Sequence, residues 1–183
     1  RNAIGTIVDD YIITEAIPGT QTLREFITSA CPDRSLPLYC SRRDSIIDQL
    51  SHTTRAIHAH NFYHQDLKWR NILVRANGDQ TELFWIDCPK GDFTRSAAHQ
   101  SRRALKDCAT LDKLGRLHCT KEERLRFVAG YLDQPVDAPE VATFAQAIAE
   151  YRRKRFDAED LRQEQEAIEK RQAKANANAA QSK

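Results

Sequence analysis

The feature that most constrains the fold is a polar loop followed by two apolar runs. The loop, His64–Asn71, has the pattern H-x-D-x-K-x-x-N and leads into the run Ile72–Arg75. An Asn77-Gly78 pair follows, and the second run, Glu82–Ile86, ends at Asp87. Because Asn-Gly between two apolar runs favours a tight turn, this segment predicts a β-hairpin. The polar loop then enters the hairpin and Asp87 leaves it, so short-range positioning of their side chains is expected.

The residue types in this segment suit phosphate and metal chemistry. The carboxylate of Asp66 can accept a proton from a hydroxyl, and Asn71 and Asp87 supply the hard oxygen ligands that Mg²⁺ prefers. Asp66 and Asn71 could instead be turn formers, since both residue types bond to local backbone. Their combination with His64, Lys68 and the strand-terminal Asp87 favours the functional interpretation.

The composition indicates one domain with a core, followed by a polar appendage. The 183 residues include 28 Lys and Arg against 26 Asp and Glu, and 40% are apolar. The resulting net charge of +2 does not favour a nucleic-acid partner. No apolar run approaches the roughly 20 residues of a membrane span, and the N-terminus has no secretion-signal pattern. The five cysteines are scattered without a C-x-x-C pair, which favours reduced thiols in a cytoplasmic protein.

Outside the hairpin, the periodicity predicts a mainly helical α+β protein. Thr22 and Thr120 each open a capping box, with Glu25 and Glu123 three residues on, and a helix is expected after each. The other predicted elements are a strand at Tyr11–Ile17 and helices near Asp44–His60, Ser101–His118 and Val141–Tyr151. Three parts follow from this pattern: an N-terminal strand and hinge at 1–18, a main domain at 19–151, and a charged helical or disordered tail at 152–183.

The order of these elements resembles the C-terminal lobe of protein-kinase-like folds, with 1–18 as a remnant of the N-terminal lobe. More narrowly, the chain resembles the lipopolysaccharide kinase family of the Kdo/WaaP/InaA type over residues 8–133. The segments that carry the resemblance are Tyr63–Val74, Phe84–Gly91, Lys106–Leu111 and Glu123–Leu132. Asp87 is followed by Cys-Pro-Lys-Gly where protein kinases have Phe-Gly, and the proline predicts a rigid loop.

The resemblance implies roles for individual residues. It implies that Asp66 is the catalytic base and that Lys68 steadies the transferred phosphate. Asn71 and Asp87 would hold Mg²⁺ and, through it, ATP.

Supporting and nucleotide-binding positions are also implied. Glu15 and Ile17 would lie in a hinge whose backbone meets the adenine. His64 would brace the loop, and Asp107 would hydrogen-bond to the loop backbone as a structural support.

The implied function is transfer of a phosphoryl group from ATP to a sugar hydroxyl of the lipopolysaccharide inner core. A cytoplasmic location is expected, with peripheral contact to the inner membrane as an option. The alternatives are a kinase of the same fold with a small-molecule or protein acceptor, and a pseudokinase or binding module without turnover. The sequence contains no Met and begins at Arg1, so we expect a fragment that lacks the nucleotide-covering segment and is inactive alone.

Several other residues have two interpretations. Trp69 and Arg70 could face an acceptor or serve as a packing Trp and a solvated Arg. Cys88 is expected to be a small buried side chain instead of a redox-sensitive one. The basic run Arg152–Arg155 is expected to be a solvated helix face, with an anionic membrane as the alternative. His58, with His60, is expected to close a helix instead of binding a metal.

Overall fold

The computed structural model describes residues 15–31, 35–78 and 80–156, together with positions 162, 165, 166, 169 and 170. The helices are α1 (Leu23–Ser29), α2 (Pro37–Ala59), α3 (Ala97–His118), α4 (Lys121–Leu132) and α5 (Pro139–Arg155). The strands are β1 (Gln21–Thr22), β2 (Phe62–Tyr63), β3 (Ile72–Asn77), β4 (Gln80–Trp85) and β5 (Asp92–Phe93). The mainly helical α+β prediction is confirmed.

The predicted hairpin is formed by β3 and β4. The two strands are antiparallel, and their register runs from Ile72 opposite Trp85 to Asn77 opposite Gln80. Asn77 is the last paired residue of β3, and Gly78 begins the turn with a left-handed φ of 64°, a conformation that favours glycine. Strand β1 pairs with the outer edge of β3, so the sheet order is β1-β3-β4.

A short 3₁₀ turn, Trp69–Asn71, ends the polar loop and leads directly into β3. Two side chains of the loop anchor it in the core: Leu67 is fully buried and Trp69 nearly so. The indole Nε1 of Trp69 donates to the carbonyl of Leu111 on α3 at 2.9 Å. The packing interpretation of Trp69 is therefore the one that the structure supports, while Arg70 is exposed.

The core has two parts that meet at α3. One part joins α1, α2, the polar loop and β3 to one face of α3, with Leu23, Ile46 and Ile72 among its members. The other joins α3 to α4 and α5 and includes Val128 and Ile148. The hairpin and its loop are therefore fixed against a helical body.

Both predicted capping boxes are present, at Thr22 with Glu25 and at Thr120 with Glu123. Other predicted boundaries were wrong. Helix α2 begins at Pro37 instead of Asp44, because proline at the first helical position is pre-organised for a helix.

Helix α3 begins at Ala97 instead of Ser101, and α5 continues to Arg155. Of the predicted Tyr11–Ile17 strand, residues 11–14 lie outside the described residues, and 15–17 are not in a strand. No helix in the described part of the chain combines the length and apolarity needed to cross a membrane.

Candidate active site

Asp107, which lies on α3 and is fully buried, anchors the polar loop through hydrogen bonds. Its Oδ2 accepts from the backbone N–H of His64 at 2.9 Å and lies 3.2 Å from His58 Nε2. His64 is also buried, and its Nε2 lies 3.2 Å from the carbonyl oxygen of Ile86. The carboxylate thus connects α3 to the loop, and His64 connects the loop to the end of β4.

His58 and Tyr131 extend this network, and the sequence analysis missed both as supports. His58 lies near the end of α2 and is buried, with its Nδ1 2.9 Å from the hydroxyl of Tyr131. Its ring also stacks on Tyr63 at a centroid distance of 4.7 Å. Burial raises the pKa of Tyr131, so this hydroxyl stays protonated. The H-x-H pattern marks His58, but nothing in the sequence links it to a residue on α4.

Asp66 and Asn71 are brought together by the turns of the loop. The side-chain Nδ2 of Asn71 donates to the backbone carbonyl of Asp66 at 2.9 Å and lies 3.4 Å from its carboxylate Oδ2. Gln65, just before, has a left-handed φ of 60°, which is uncommon for a residue other than glycine. The backbone N–H of Lys68 donates back to the Asp66 carbonyl at 2.8 Å. The loop therefore holds a carboxylate and an amide in fixed relation.

The carboxylate of Asp66 forms an ion pair with Lys68 at 2.9 Å, and its side chain is 19% exposed. Burial alone would raise the pKa of Asp66. The hydrogen bond and the charge of Lys68, with the charges of Arg70 and Lys90, outweigh burial and hold this pKa below its usual value. Asp66 is therefore ionised at neutral pH and can receive a proton.

Asp87 follows β4 in a left-handed conformation with a φ of 54°. Its neighbour Ile86 donates its N–H to the carbonyl of Asn71 at 3.0 Å, which continues the hairpin ladder to the site. The Asp87 carbonyl lies 3.5 Å from Asn71 Nδ2, and the Asp87 side chain is exposed. The two predicted metal ligands are thus adjacent at one end of the hairpin.

The donor set fits a hard divalent cation shared with phosphate oxygens. Asn71 uses Nδ2 towards Asp66, and its Oδ1 accepts no hydrogen bond within the described residues, so one amide oxygen is available. The second oxygen donor is the exposed carboxylate of Asp87, the residue whose backbone carbonyl lies 3.5 Å from Asn71 Nδ2. Mg²⁺ accepts few protein ligands when phosphates and water complete its shell. No group of three or more His, Cys, Asp or Glu is placed to hold a metal by itself in the described part of the chain.

The residues expected at the hinge lie apart from this cluster in sequence and immediately precede β1. Glu15 is exposed, and Ile17 is half-buried. The carbonyl oxygen of Ile17 accepts from the hydroxyl of Thr20 at 2.8 Å. Because β1 pairs with β3, both positions lead into the sheet that carries the site. Among the described residues, no hydrogen bond or ion pair joins them to Asn71 or Asp87, so their nucleotide-binding role stays a prediction.

The expected burial of Cys88 and the expected exposure of Arg152 were both wrong. Cys88 is exposed instead of buried, because it lies in the turn beyond the sheet, where its Sγ is 3.7 Å from the carbonyl of His64. Arg152 is buried instead of solvated, since its guanidinium pairs with Asp112 at 2.8 Å. The neighbouring Arg153 and Arg155 are exposed, as expected.

A helical body that holds Asp66, Lys68, Asn71 and Asp87 around one hairpin is the arrangement of a protein-kinase-like fold. The model of the lipopolysaccharide kinase (Kdo/WaaP) family matches residues 4–131 of this chain. The match covers more than half of the chain, which therefore belongs to the lipopolysaccharide kinase (Kdo/WaaP) family.

A solved structure supports the fold. The structure described as WaaP in complex with acyl carrier protein superposes with a TM-score of 0.60 and 18% identity. The comparison covers 75% of this chain and 59% of that one, so this chain spans about three fifths of the WaaP length. No curated protein matches the sequence.

Proposed function

We propose that this chain carries the catalytic lobe of an ATP-dependent kinase that phosphorylates a sugar hydroxyl of the lipopolysaccharide inner core. The observation that carries the proposal is the cluster in which Asn71 contacts Asp66, Lys68 pairs with Asp66, and Asp87 adjoins Asn71. Phosphoryl transfer asks a protein mainly to position reactants and to compensate charge, and this cluster provides both. The family assignment is the second support.

In the proposed reaction, Asp66 accepts a hydrogen bond from the acceptor hydroxyl and takes its proton. The hydroxyl oxygen forms a bond to the γ-phosphorus of ATP, the bond to the β-phosphate oxygen breaks, and ADP leaves. Lys68 lies beside Asp66 and stabilises charge on the transferred group. Asn71 and Asp87 would hold Mg²⁺, which neutralises phosphate charge when it is bound. His64 and Asp107 fix the loop that carries these groups.

The test is transfer of labelled phosphate from ATP to deacylated inner-core oligosaccharide, with the full-length protein that contains this chain. We expect Asp66→Asn and Asp87→Asn each to lower kcat by at least about a hundredfold, the lower range for general acid–base catalysis. The matched control is Asp137→Asn, at an exposed position beyond α4, which should leave the rate unchanged. Normal turnover by Asp87→Asn would contradict the proposal.

The identity of the acceptor is a separate part of the proposal and needs its own test. A parallel screen with aminoglycosides and protein substrates separates a lipopolysaccharide kinase from other kinases of this fold. Nucleotide binding without transfer to any acceptor would favour a pseudokinase. We also propose that the reaction occurs on the cytoplasmic side of the inner membrane, where ATP is available.

Acyl carrier protein is a candidate partner, because the solved WaaP structure was determined in complex with it. The helical body of this chain contains a cavity of about 300 Å³ whose lining is mainly apolar and includes Leu50, Leu111, Phe127 and Ile148. Such a lining suits an acyl chain better than a polar ligand. Titration with acylated and non-acylated carrier protein tests this; equal affinity for both would separate protein contact from occupation of the cavity.

A further inference from the structure

A second cavity, of about 490 Å³, lies beside the catalytic loop, and nothing in the proposed reaction uses it. It is formed by the first half of α3 and the end of α5. Gln65, the residue before Asp66, lies at its edge, and the other residues used below are Arg102, Arg103, Lys106, Tyr151 and Arg155. We name this cavity the cationic pocket.

The described residues that line the pocket include four cations and no carboxylate. Arg102 and Lys106 are four residues apart on α3 and therefore share a face of that helix, which Arg155 approaches from α5. In the described part of the chain, no carboxylate forms an ion pair with Arg102, Lys106 or Arg155. Arg103 differs, because it pairs with Asp92. Like charges held close together repel, and a bound anion would relieve that repulsion.

Several arginines outside the pocket contact carboxylates. Arg43 and Arg152 each contact a carboxylate in the interior, and the partly exposed Arg124 contacts Asp112. The exposed Arg126 contacts two carboxylates on α2, at 2.6 and 2.7 Å. These arginines are matched with acids, whereas Arg102, Lys106 and Arg155 line one open cavity and have no ion pair among the described residues. A carboxylate or phosphate group suits that space because guanidinium groups bind such anions through paired hydrogen bonds.

The pocket also has an aromatic wall. Tyr151 lies on α5, and the guanidinium carbon of Arg155 is 6.0 Å from its ring centroid. Phe156 adds a second ring. Aromatic rings beside several cations suit a sugar that carries an acidic group better than a free inorganic anion. The volume is also in the range of small-molecule sites.

Gln65 connects the pocket to the catalytic loop. Its side-chain Nε2 donates to the carbonyl of Lys90 at 3.0 Å and lies 3.4 Å from Asp92 Oδ1. Asp92 also binds Arg103 from α3, so one polar chain fixes the edge of the pocket relative to Asp66. A ligand seated on α3 would therefore lie next to the loop that carries Asp66.

We infer that the cationic pocket is an acceptor subsite, which binds a carboxylate or phosphate group of the saccharide whose hydroxyl is presented to Asp66. This inference rests on the proposed function for the identity of the acceptor. The binding itself needs no ATP, so it can be tested whether or not transfer is observed.

The experiment is a titration of this 183-residue chain with deacylated inner-core oligosaccharide, in the absence of nucleotide, followed by NMR. The pocket variant is Arg102→Gln/Lys106→Gln. Its matched control is Arg116→Gln/Arg153→Gln, which removes the same charge at exposed positions on α3 and α5 outside the pocket. We expect the pocket variant to raise Kd by about tenfold or more, since loss of a charge-assisted contact is of that order. The control should stay within about twofold.

Further arms identify the ligand chemistry. Maltotriose, which is neutral, should bind weakly and equally to all proteins, and inorganic phosphate should bind more weakly than the oligosaccharide. Vesicles that contain phosphatidylglycerol test a lipid headgroup as the source of the anion. If the vesicles bind through the pocket and the oligosaccharide does not, the saccharide inference is wrong. An equal loss in the pocket and control variants would reduce the effect to net charge and overturn the inference.

If circular dichroism shows that the double variant is unfolded, Arg155→Gln on α5 gives the same test at an exposed position. In the transfer assay, the pocket variant should raise KM for the oligosaccharide and leave kcat close to that of the wild type. Absence of transfer to any acceptor, with selective loss of binding in the pocket variant, would refute the kinase proposal and support the subsite. Transfer with an unchanged KM in the pocket variant would support the kinase proposal and overturn the subsite inference.

Discussion

At the scale of single residues, Lys68 determines the proton affinity of the proposed base. Its ammonium group pairs with Asp66 and, with Arg70 and Lys90, outweighs the effect of burial on the Asp66 pKa. An ion pair that favours the charged form stabilises the folded protein above the pKa of the unfolded carboxyl. That contribution disappears as the pH falls through the lowered pKa of the folded state.

The first prediction is that Lys68→Gln raises the pKa of Asp66, because the largest favourable charge is removed while burial remains. A carboxyl ¹³C NMR titration measures the shift directly. Stability should also change less between neutral and acidic pH in the variant than in the wild type. Arg116→Gln, which removes an exposed charge on α3, should leave the titration unchanged. An unchanged Asp66 titration in Lys68→Gln would show that the ion pair does not control this carboxyl.

The second prediction concerns Asp107, whose Oδ2 satisfies the backbone N–H of His64. Asp107→Ala should lower the free energy of unfolding by about 1–3 kcal/mol, since a buried donor loses its acceptor. Asp107→Asn keeps an oxygen at that place and should lose less. Urea unfolding measures both, and the exposed Asp137→Ala serves as the control. Equal losses for the alanine and asparagine variants would mean that the hydrogen bond to His64 contributes little.

The sequence predicted which residues of the loop would cluster, because the motif is local and each member lies within a few residues of the next. Burial was harder to predict. Trp69 had two interpretations, and only the distance to Leu111 on α3 distinguishes them. Cys88 was placed in the interior on residue type alone, although its position depends on where the chain goes after Asp87.

At the scale of elements, the loop after β4 is shaped by Gly91. A Cβ atom built there would overlap with Cys88 Sγ and would lie 2.8 Å from Phe62 Cζ. The backbone N–H of Gly91 also donates to the Cys88 carbonyl at 3.2 Å, so the turn is tight. The rigid loop predicted from Pro89 is thus closed by a glycine three residues after Cys88.

The third prediction is a contrast between two glycine-to-alanine changes. Gly91→Ala should destabilise the protein by about 1–3 kcal/mol, the usual cost of overpacking, and Cys88→Ala in the same chain should recover part of it. Gly115→Ala should instead stabilise by roughly 0.5–1 kcal/mol, because alanine favours a helix and its Cβ would meet Asp112 at an ordinary 3.6 Å. Thermal unfolding measures both. A neutral Gly91→Ala would show that the loop can open without cost.

Element boundaries were predicted where a local signal exists and missed where it is ambiguous. The two capping boxes start α1 and α4 because both side chains bond within one turn. The predicted start of α2 at Asp44 missed Pro37, because proline can end a helix or occupy its first turn, and the sequence alone does not distinguish the two. The segment after Tyr151 was predicted to be a tail because it is highly charged. The sequence does not indicate that Arg152 has a buried partner, Asp112, on another helix.

At the scale of the whole molecule, long-range ion pairs join the helices, and no sequence pattern reveals them. Arg43 on α2 bonds to Glu123 on α4 across 80 positions. Asp112 on α3 receives Arg124 from α4 at 2.6 Å and Arg152 from α5 at 2.8 Å. These pairings depend on which helices are adjacent, and the local periodicity of each helix carries no such information.

The last prediction compares two interhelical ion pairs that differ in burial. The side chains of Asp112 and Arg152 are 9% and 7% exposed, whereas Arg126 is 43% exposed beside Asp44 and Asp48. Asp112→Ala leaves Arg152 buried without its partner and should cost about 3–5 kcal/mol, while Arg126→Ala should cost at most about 1 kcal/mol. Urea unfolding of both variants gives the comparison.

A third variant separates the charge from the packing at this junction. Replacing both members of the pair, as Asp112→Leu/Arg152→Met, removes the uncompensated charge and should recover most of the loss caused by Asp112→Ala. Arg124 tolerates this change because its side chain is 30% exposed and can reach water. If the double variant stays as unstable as Asp112→Ala, the ion pair itself, and not the avoidance of an unpaired charge, holds α3 and α5 together. The position of α5 beside the cationic pocket would then depend on a single carboxylate.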